Sequence, residues 1–158
     1  MRWLVFSLAF VLQTAWTETL IGRVVGVTDG DTLTVLDANS IEHKIRIAGI
    51  DAPEKKQPFS EASRQNLARL AFGKPIKVEW YKRSYKRLVG NAFVDGRDIG
   101  LEQIRAGLAW HYKTYEHEQS DEARVQYAVA EVQARRARLG IWKDRDPIPP
   151  WEWRHMRK

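Results

Sequence analysis

The segment from residue 20 to residue 50 constrains the fold most strongly, because its apolar residues recur with the two-residue period of β-strands. Leu33 and Val35 show this alternation, and two isoleucines show it again in the third predicted strand. Residues 37–40, Asp-Ala-Asn-Ser, have the composition of a turn. The pattern predicts three consecutive strands arranged as a meander.

Two further strands and three helices are predicted downstream of this segment. They are a helix from Pro58 to Phe72, strands at 76–81 and 88–94, a short helix from an Asp98 cap to Ile104, and a helix capped by Ser120. These elements fit an α+β fold that is mainly β, a five-stranded Greek-key barrel of the OB-fold type with three helices. The pattern is also compatible with an open α+β sheet, which is the alternative fold.

Apolar residues at helical spacing indicate which faces of the two longer helices are buried. In the first helix they are Phe59, Ala62, Leu67, Leu70 and Ala71, and in the last they are Ala123, Tyr127, Ala130, Ala134 and Ala137, followed by Gly140. The C-terminal tail, residues 144–158, is rich in proline, tryptophan and basic residues. We expect the tail to be irregular as far as Trp153 and to pack its tryptophans on the domain.

The N-terminus has the features of a secretory signal peptide at residues 1–17. Arg2 precedes an apolar run from Trp3 to Leu12, and small or polar residues follow the run. Because this run is too short to span a bilayer comfortably, the expected location is secreted or periplasmic, with a retained N-terminal anchor as the alternative.

Charge and cysteine content narrow the function of the single domain that remains. The chain carries 26 Lys and Arg residues against 20 Asp and Glu residues, and its net charge of +6 favours an anionic partner. It contains no cysteine, which excludes a disulfide scaffold, a zinc–thiolate site, an iron–sulfur cluster and a cysteine nucleophile.

Acidic residues stand at the ends of the predicted strands in two segments. Residues 29–32, Asp-Gly-Asp-Thr, join the first two strands, and residues 46–54, Arg-Ile-Ala-Gly-Ile-Asp-Ala-Pro-Glu, end the third. Each segment alone is more typical of an ordinary turn. Together they supply three acids, Asp31, Asp51 and Glu54. Carboxylates, carbonyls and water are the ligands of hard divalent ions such as Ca²⁺, so the pair of segments indicates a cation site.

A basic segment from Lys74 to Arg87 suits contacts with nucleic acid. It holds six Lys or Arg residues and one acid, with Trp80, Tyr81 and Tyr85 between them. Cations bind phosphates and aromatic rings stack on bases, although a solvated basic hairpin has the same composition. The four histidines form no His-Glu-x-x-His motif, which disfavours a histidine-based nuclease.

Five short motifs occur in one order over residues 20–143. They are Val-Thr-Asp-Gly-Asp-Thr at 27–32, Arg-Ile-Ala-Gly-Ile-Asp-Ala-Pro-Glu at 46–54, Tyr-Lys-Arg at 85–87, Ala-Gly-Leu-Ala at 106–109 and Leu-Gly-Ile-Trp at 139–142. Each motif is short, but in this order they make the chain resemble the thermonuclease, or staphylococcal nuclease-like, family. The tail Pro-Ile-Pro-Pro-Trp-Glu-Trp at 147–153 is similar to that of exported bacterial members.

The resemblance implies an OB-fold endonuclease that depends on Ca²⁺, hydrolyses phosphodiester bonds of DNA and RNA, and leaves 3′-phosphate ends. It implies metal binding by Asp31, Asp51 and the carbonyl of Ala52, a general base at Glu54, catalytic arginines at Arg46 and Arg87, and nucleic-acid contacts at Tyr85, Tyr115 and Lys86. We expect a monomer that favours single-stranded substrates and has no stable protein partner.

Three positions depart from the family pattern. Lys86 stands where the family usually has glycine, Arg83 where an acid is common, and Ala52 where many members have threonine. A non-catalytic nucleic-acid-binding module on the same barrel is the alternative function. Non-catalytic members of this fold lose catalytic carboxylates and arginines. In this chain all five matched side chains are present, which favours the enzyme. They are Asp31, Arg46, Asp51, Glu54 and Arg87.

Overall fold

A computed structural model describes residues 17–156 of the chain. The signal peptide predicted at residues 1–17 therefore lies outside the described residues, except for Thr17. Within residues 17–156, no helix combines the length and the apolar character that a membrane crossing requires.

The described part of the chain contains eight strands, four α-helices and two 3₁₀ helices. The strands are β1 (Glu18–Val27), β2 (Thr32–Asp37), β3 (Glu42–Ile47), β4 (Ile50–Asp51), β5 (Pro75–Ser84), β6 (Arg87–Val94), β7 (Arg97–Asp98) and β8 (Trp110–His111). The helices are α1 (Ser60–Ala71), α2 (Ile99–Arg105), α3 (Asp121–Arg136) and α4 (Pro150–Met156), and the 3₁₀ helices span Lys113–Glu118 and Gly140–Lys143.

The five long strands form the closed barrel that the sequence predicts, in an α+β fold that is mainly β. β1 pairs with β2 and β5, β2 pairs with β3, and β5 pairs with β6, all antiparallel. The barrel closes because β6 also pairs in parallel with β3, with Lys44 opposite Arg87 and Ile47 opposite Gly90. This last pairing excludes the open sheet.

Residues that alternate along the strands fill the interior of the barrel. Leu33, Val35, Ile45 and Ile47 are fully buried. Arg46 stands between the two isoleucines and therefore belongs to the opposite, outer face of β3. α1, α2 and α3 add apolar side chains to the same core. The alternation thus separates an apolar interior from an outer face that is free to carry charged groups.

α1 begins two residues later than predicted and buries a partly polar face. Pro58 precedes the helix, and the next residue, Phe59, has a left-handed backbone with φ of 66°. Ala62 is exposed, whereas Ser63 and Asn66 are buried. The two polar side chains are buried because each donates a hydrogen bond to a partner inside the domain.

The predicted caps of α2 and α3 are confirmed. The Asp98 carboxylate accepts hydrogen bonds from two backbone N–H groups of the first turn of α2, and the Ser120 hydroxyl accepts one from α3. The fully buried residues of the predicted α3 stripe are Tyr127, Ala130 and Ala134. Ala137 is exposed, contrary to the prediction, because α3 ends one residue before it.

The C-terminal tail is helical over residues 150–156, so the prediction of an irregular tail is wrong for residues 150–153. Pro150 occupies the first position of α4, where proline needs no partner for a backbone N–H and does not break the helix. Trp151 stacks on Tyr112 with ring centroids 5.5 Å apart and meets Trp110 edge to face. The predicted packing of a tail tryptophan on the domain is confirmed.

We expect Gly90→Ala to lower the free energy of unfolding by about 2 kcal/mol, because β5 and β6 approach closely at this point. A Cβ atom on Gly90 would press on the carbonyl oxygen of Glu79 and lie 2.5 Å from the Cα of Trp80. Urea unfolding followed by circular dichroism measures the loss. Gly26→Ala is the matched control, since its Cβ would lie 3.5 Å from Thr34, an ordinary contact. An equal loss in both variants would contradict the explanation.

Candidate active site

A cleft of about 350 Å³ lies on the outer face of the barrel, where β3 and β6 meet. Seven of the nine predicted site residues line it: Asp31, Arg46, Asp51, Ala52, Glu54, Arg87 and Tyr115. The other two, Tyr85 and Lys86, are exposed at the turn between β5 and β6, outside the cleft lining. The cleft therefore collects groups from strands and loops that are far apart in the sequence.

The turn between β1 and β2 carries Asp31 into the cleft. The Asp31 carboxylate accepts a 2.9 Å hydrogen bond from the backbone N–H of Ala52 and another, also 2.9 Å, from the hydroxyl of Thr32. One of its oxygens lies 3.3 Å from Nε of Arg46. These contacts fix a side chain that is only 9% exposed, and they join the two acidic segments that are separate in the sequence.

Arg46 links the two buried carboxylates of the cleft. Its Nη1 donates to the carbonyls of Ile47 and Ile50 at 2.6 and 2.8 Å. Its Nη2 lies 3.2 Å from Asp51, while its Nε faces Asp31. The two main-chain acceptors leave the guanidinium little freedom, so the backbone sets the position of this positive charge.

Arg154 also lines the cleft, and no sequence motif predicts it. It stands on α4 and lies 2.6 Å from Glu54 and 3.0 Å from Asp51, so one guanidinium joins two carboxylates. The tryptophans of the tail predicted that the tail packs on the domain, but not where. No spacing in the sequence relates Arg154 to Asp51, which lies 103 residues earlier.

The arginines do not fully compensate the charge of the buried carboxylates. Burial raises the pKa of Asp29 to about 6, and the charge of Asp31 acts in the same direction. Burial also raises the pKa of Asp51, although a hydrogen bond from Arg154 opposes this shift. Negative charge that is not fully compensated attracts cations. Asp31, Asp51 and the Ala52 carbonyl together are a set of hard oxygen donors, which suits a divalent ion such as Ca²⁺.

A buried polar network behind the cleft, which no sequence motif predicts, holds the turn that carries Asp31. Gln103 of α2 donates to the carbonyl of Gly30 at 2.7 Å and accepts from Asn66 of α1 at 2.5 Å. Ser63 fills the space beside Gly30, where any Cβ atom would overlap the Ser63 hydroxyl. The two helices thus fix the backbone immediately before Asp31.

Aromatic and basic side chains surround the mouth of the cleft. The ring of Tyr115 is packed against Tyr112, with centroids 5.3 Å apart, and Nζ of Lys82 lies 4.6 Å from the Tyr115 ring centre. Tyr85 is 97% exposed at the turn between β5 and β6. Rings and cations in this arrangement suit stacking on bases and contacts with phosphates.

Comparison with known proteins finds relatives over most of the chain. The family model described as staphylococcal nuclease homologue matches residues 44–144, a range that begins after Asp31. An uncharacterized endonuclease of Escherichia coli O157:H7 is 38% identical over 138 residues, which cover 86% of this chain and 86% of the relative. An uncharacterized endonuclease of Haemophilus influenzae is 36% identical over 137 residues, 86% of this chain and 74% of the relative. Staphylococcal-like nuclease CAN1 of Arabidopsis thaliana is 35% identical over 116 residues, 73% of this chain and 34% of the relative.

Gln103→Leu is expected to lower the free energy of unfolding by about 2 kcal/mol, because it leaves the Gly30 carbonyl and the Asn66 amide buried without these partners. Urea unfolding measures the change. Gln126→Leu, on the exposed face of α3, is the control and should unfold nearly as the wild type does. Equal destabilisation by the two variants would show that the buried network is not the cause.

Proposed function

Since the chain belongs to the family of staphylococcal nuclease homologues and is a nuclease, a phosphodiester hydrolase, we propose that it cleaves DNA and RNA in a Ca²⁺-dependent reaction that leaves 3′-phosphate ends. The observation that carries the proposal is the meeting, in one cleft, of three carboxylates and two arginines. They are Asp31, Asp51, Glu54, Arg46 and Arg87. Their combination supplies a cation site, a base and stabilisers of negative charge within one cavity.

Asp31, Asp51 and the carbonyl of Ala52 are the proposed ligands of the metal ion. Ca²⁺ bound there supplies positive charge that neutralises the phosphodiester and orients it. The hydrogen bond from the Ala52 N–H to Asp31, 2.9 Å long, holds the two ligand segments together without the ion. The two ligand segments are therefore already in position before an ion binds.

Glu54 is the proposed general base. Its backbone N–H donates to the side-chain oxygen of Gln57 at 2.9 Å, which fixes the loop after β4, and its side chain is 38% exposed. A carboxylate so placed accepts a proton from water while the water oxygen forms its bond to phosphorus. Glu54 takes one proton from the attacking water, the bond from phosphorus to the 5′ oxygen breaks, and the phosphate stays on the 3′ side. The departing 5′ oxygen takes up a proton from solvent water and becomes the 5′ hydroxyl.

Arg46 and Arg87 are the proposed stabilisers of the extra negative charge on five-coordinate phosphorus. In the parallel pairing of β3 with β6, Arg46 lies opposite Val89, and Arg87 precedes Val89 by two residues. Because side chains two residues apart share a face of a strand, both arginines belong to the outer face of the barrel. A planar guanidinium makes two parallel hydrogen bonds to phosphate oxygens, which a lysine cannot do.

The rings and cations around the cleft are the proposed contacts for the nucleic-acid chain, namely Tyr85, Lys86 and Tyr115. An exposed ring stacks on a base whose face is uncovered, and base faces are covered in a duplex, so single-stranded substrates are favoured. The proposal extends to a monomeric, exported protein, and the leader predicted at residues 1–17 is the basis for export.

Purified protein is expected to cleave single-stranded DNA with Ca²⁺ and to lose this activity when a chelator removes the ion, because the phosphate charge is then less compensated. Gel electrophoresis of labelled DNA follows the cleavage, and a phosphatase assay on the new 3′ ends identifies the product. Activity should return when Ca²⁺ is added in excess of the chelator. Cleavage that the chelator leaves unchanged, or no cleavage with Ca²⁺, contradicts the proposal.

Glu54→Gln is expected to lower kcat by about 100-fold or more and to leave KM for DNA nearly unchanged, since the amide keeps the shape of the side chain but cannot accept the proton. Steady-state kinetics on a single-stranded oligonucleotide measure both constants. Glu42→Gln, exposed at the start of β3 and outside the cleft lining, is the control and should keep wild-type kinetics. A near-normal kcat for the Glu54 variant would reject Glu54 as the base.

A further inference from the structure

The C-terminal helix α4 places a positive charge among the proposed metal ligands. Nη2 of Arg154 lies 3.0 Å from one oxygen of Asp51, and Nη1 lies 3.3 Å from the other. The same Nη1 is 2.6 Å from Oε1 of Glu54. One guanidinium therefore contacts both oxygens of a proposed metal ligand and one oxygen of the proposed base.

Contacts other than those of Arg154 also hold α4 in position. Trp151 stacks on Tyr112, with an angle of 21° between the ring planes. Just before the helix, the carbonyl of Ile148 accepts a 2.6 Å hydrogen bond from the side chain of Gln57. Trp151 and Arg154 are three residues apart on one side of the helix, the side that faces the domain. The helix therefore has anchors that remain when the Arg154 side chain moves away.

A divalent cation and Arg154 compete for the same carboxylate oxygens. Asp51 has two oxygens, both already hydrogen-bonded, and its side chain is 3% exposed. Two cations brought to one carboxylate repel each other, and the repulsion is strong in a partly buried cleft because water screens it less than in bulk solution. Binding of the metal therefore favours departure of one of the arginines that contact Asp51.

Arg154 is better placed to leave than Arg46. Arg46 is tied to two main-chain carbonyls and its side chain is 16% exposed. The Arg154 side chain is 40% exposed, and its hydrogen bonds to Asp51 and Glu54 all end on carboxylates. Rotation about the bonds of this long side chain carries the guanidinium into water without movement of the backbone.

We infer that Arg154 is an internal counter-ion that occupies the carboxylates of Asp51 and Glu54 until a divalent cation displaces it. The inference rests on the proposed metal site. It has two linked consequences. The metal-free protein is stabilised because both carboxylates are paired, and the affinity for the cation is lowered by the same interaction. Arg154 thereby sets the cation concentration at which the cleft is open to substrate.

Arg154→Gln tests the inference through calorimetric titration of the metal-free protein with Ca²⁺ at neutral pH. We expect the variant to bind Ca²⁺ about tenfold more tightly than the wild type, because a competing cation has been removed. Without metal, the variant should unfold about 2–4 °C below the wild type, since two carboxylates lose a partner. Arg145→Gln removes the same charge from an exposed position of the tail and should bind Ca²⁺ as the wild type does.

Arg154→Lys is the second variant, and it should also bind Ca²⁺ more tightly than the wild type, since an ammonium group lacks the fork that spans both carboxylates. Unchanged or weaker binding by both Arg154 variants, with measurable binding by the wild type, would overturn the inference and leave the proposed function intact. Equal tightening by Arg145→Gln would assign the effect to net charge and would also overturn it. No Ca²⁺ binding by any of these proteins would overturn the proposed metal dependence, and the inference with it.

Discussion

The parallel pairing of β3 with β6 is the interaction on which the rest of the structure depends. It joins the meander to the β5–β6 hairpin, closes the barrel and removes two sheet edges that would otherwise have unpaired N–H and C=O groups. It also brings Arg46 and Arg87, which are 41 residues apart in the sequence, onto adjacent strands and onto the same outer face. Barrel closure and assembly of the cleft are thus consequences of the same set of hydrogen bonds.

Charge in the cleft is the second constraint, because buried carboxylates are unfavourable without nearby cations. Burial raises the pKa of Asp51 even though Arg46 and Arg154 lie in contact with it. The two arginines differ in how they are held, one by main-chain carbonyls and the other by carboxylates alone. The cleft therefore combines one positive charge that the main chain holds with another that only side chains hold. The buried network around Gln103 keeps the Asp31 turn in place beneath both.

Features that depend on neighbours in the sequence could be predicted, and features that depend on distant contacts could not. The alternation at Leu33 and the cap at Asp98 are local signals, so the five long strands, α2 and α3 follow from the sequence, whereas the two-residue strands β4, β7 and β8 do not. Asn66 is absent from the predicted apolar stripe of α1 because it is polar, and the partner that allows its burial, Gln103, lies 37 residues away. Pro150 reads as a helix breaker unless it is known to stand at the first helical position. Seven of the residues that line the cleft are predicted from the order of the motifs and the family resemblance. Arg154 reaches the cleft because the tail packs on the domain, and no local sequence pattern indicates this contact.

The docking of α4 has a consequence for dilute solution. Arg154 belongs to the same chain as Asp51, so its local concentration at the carboxylates is set by the length and anchoring of the tail and not by the amount of protein present. A diffusible inhibitor dissociates when the protein is diluted, but a tethered guanidinium does not. Under the proposed displacement of Arg154 by a divalent cation, the state of the cleft would depend on the cation concentration and not on the protein concentration.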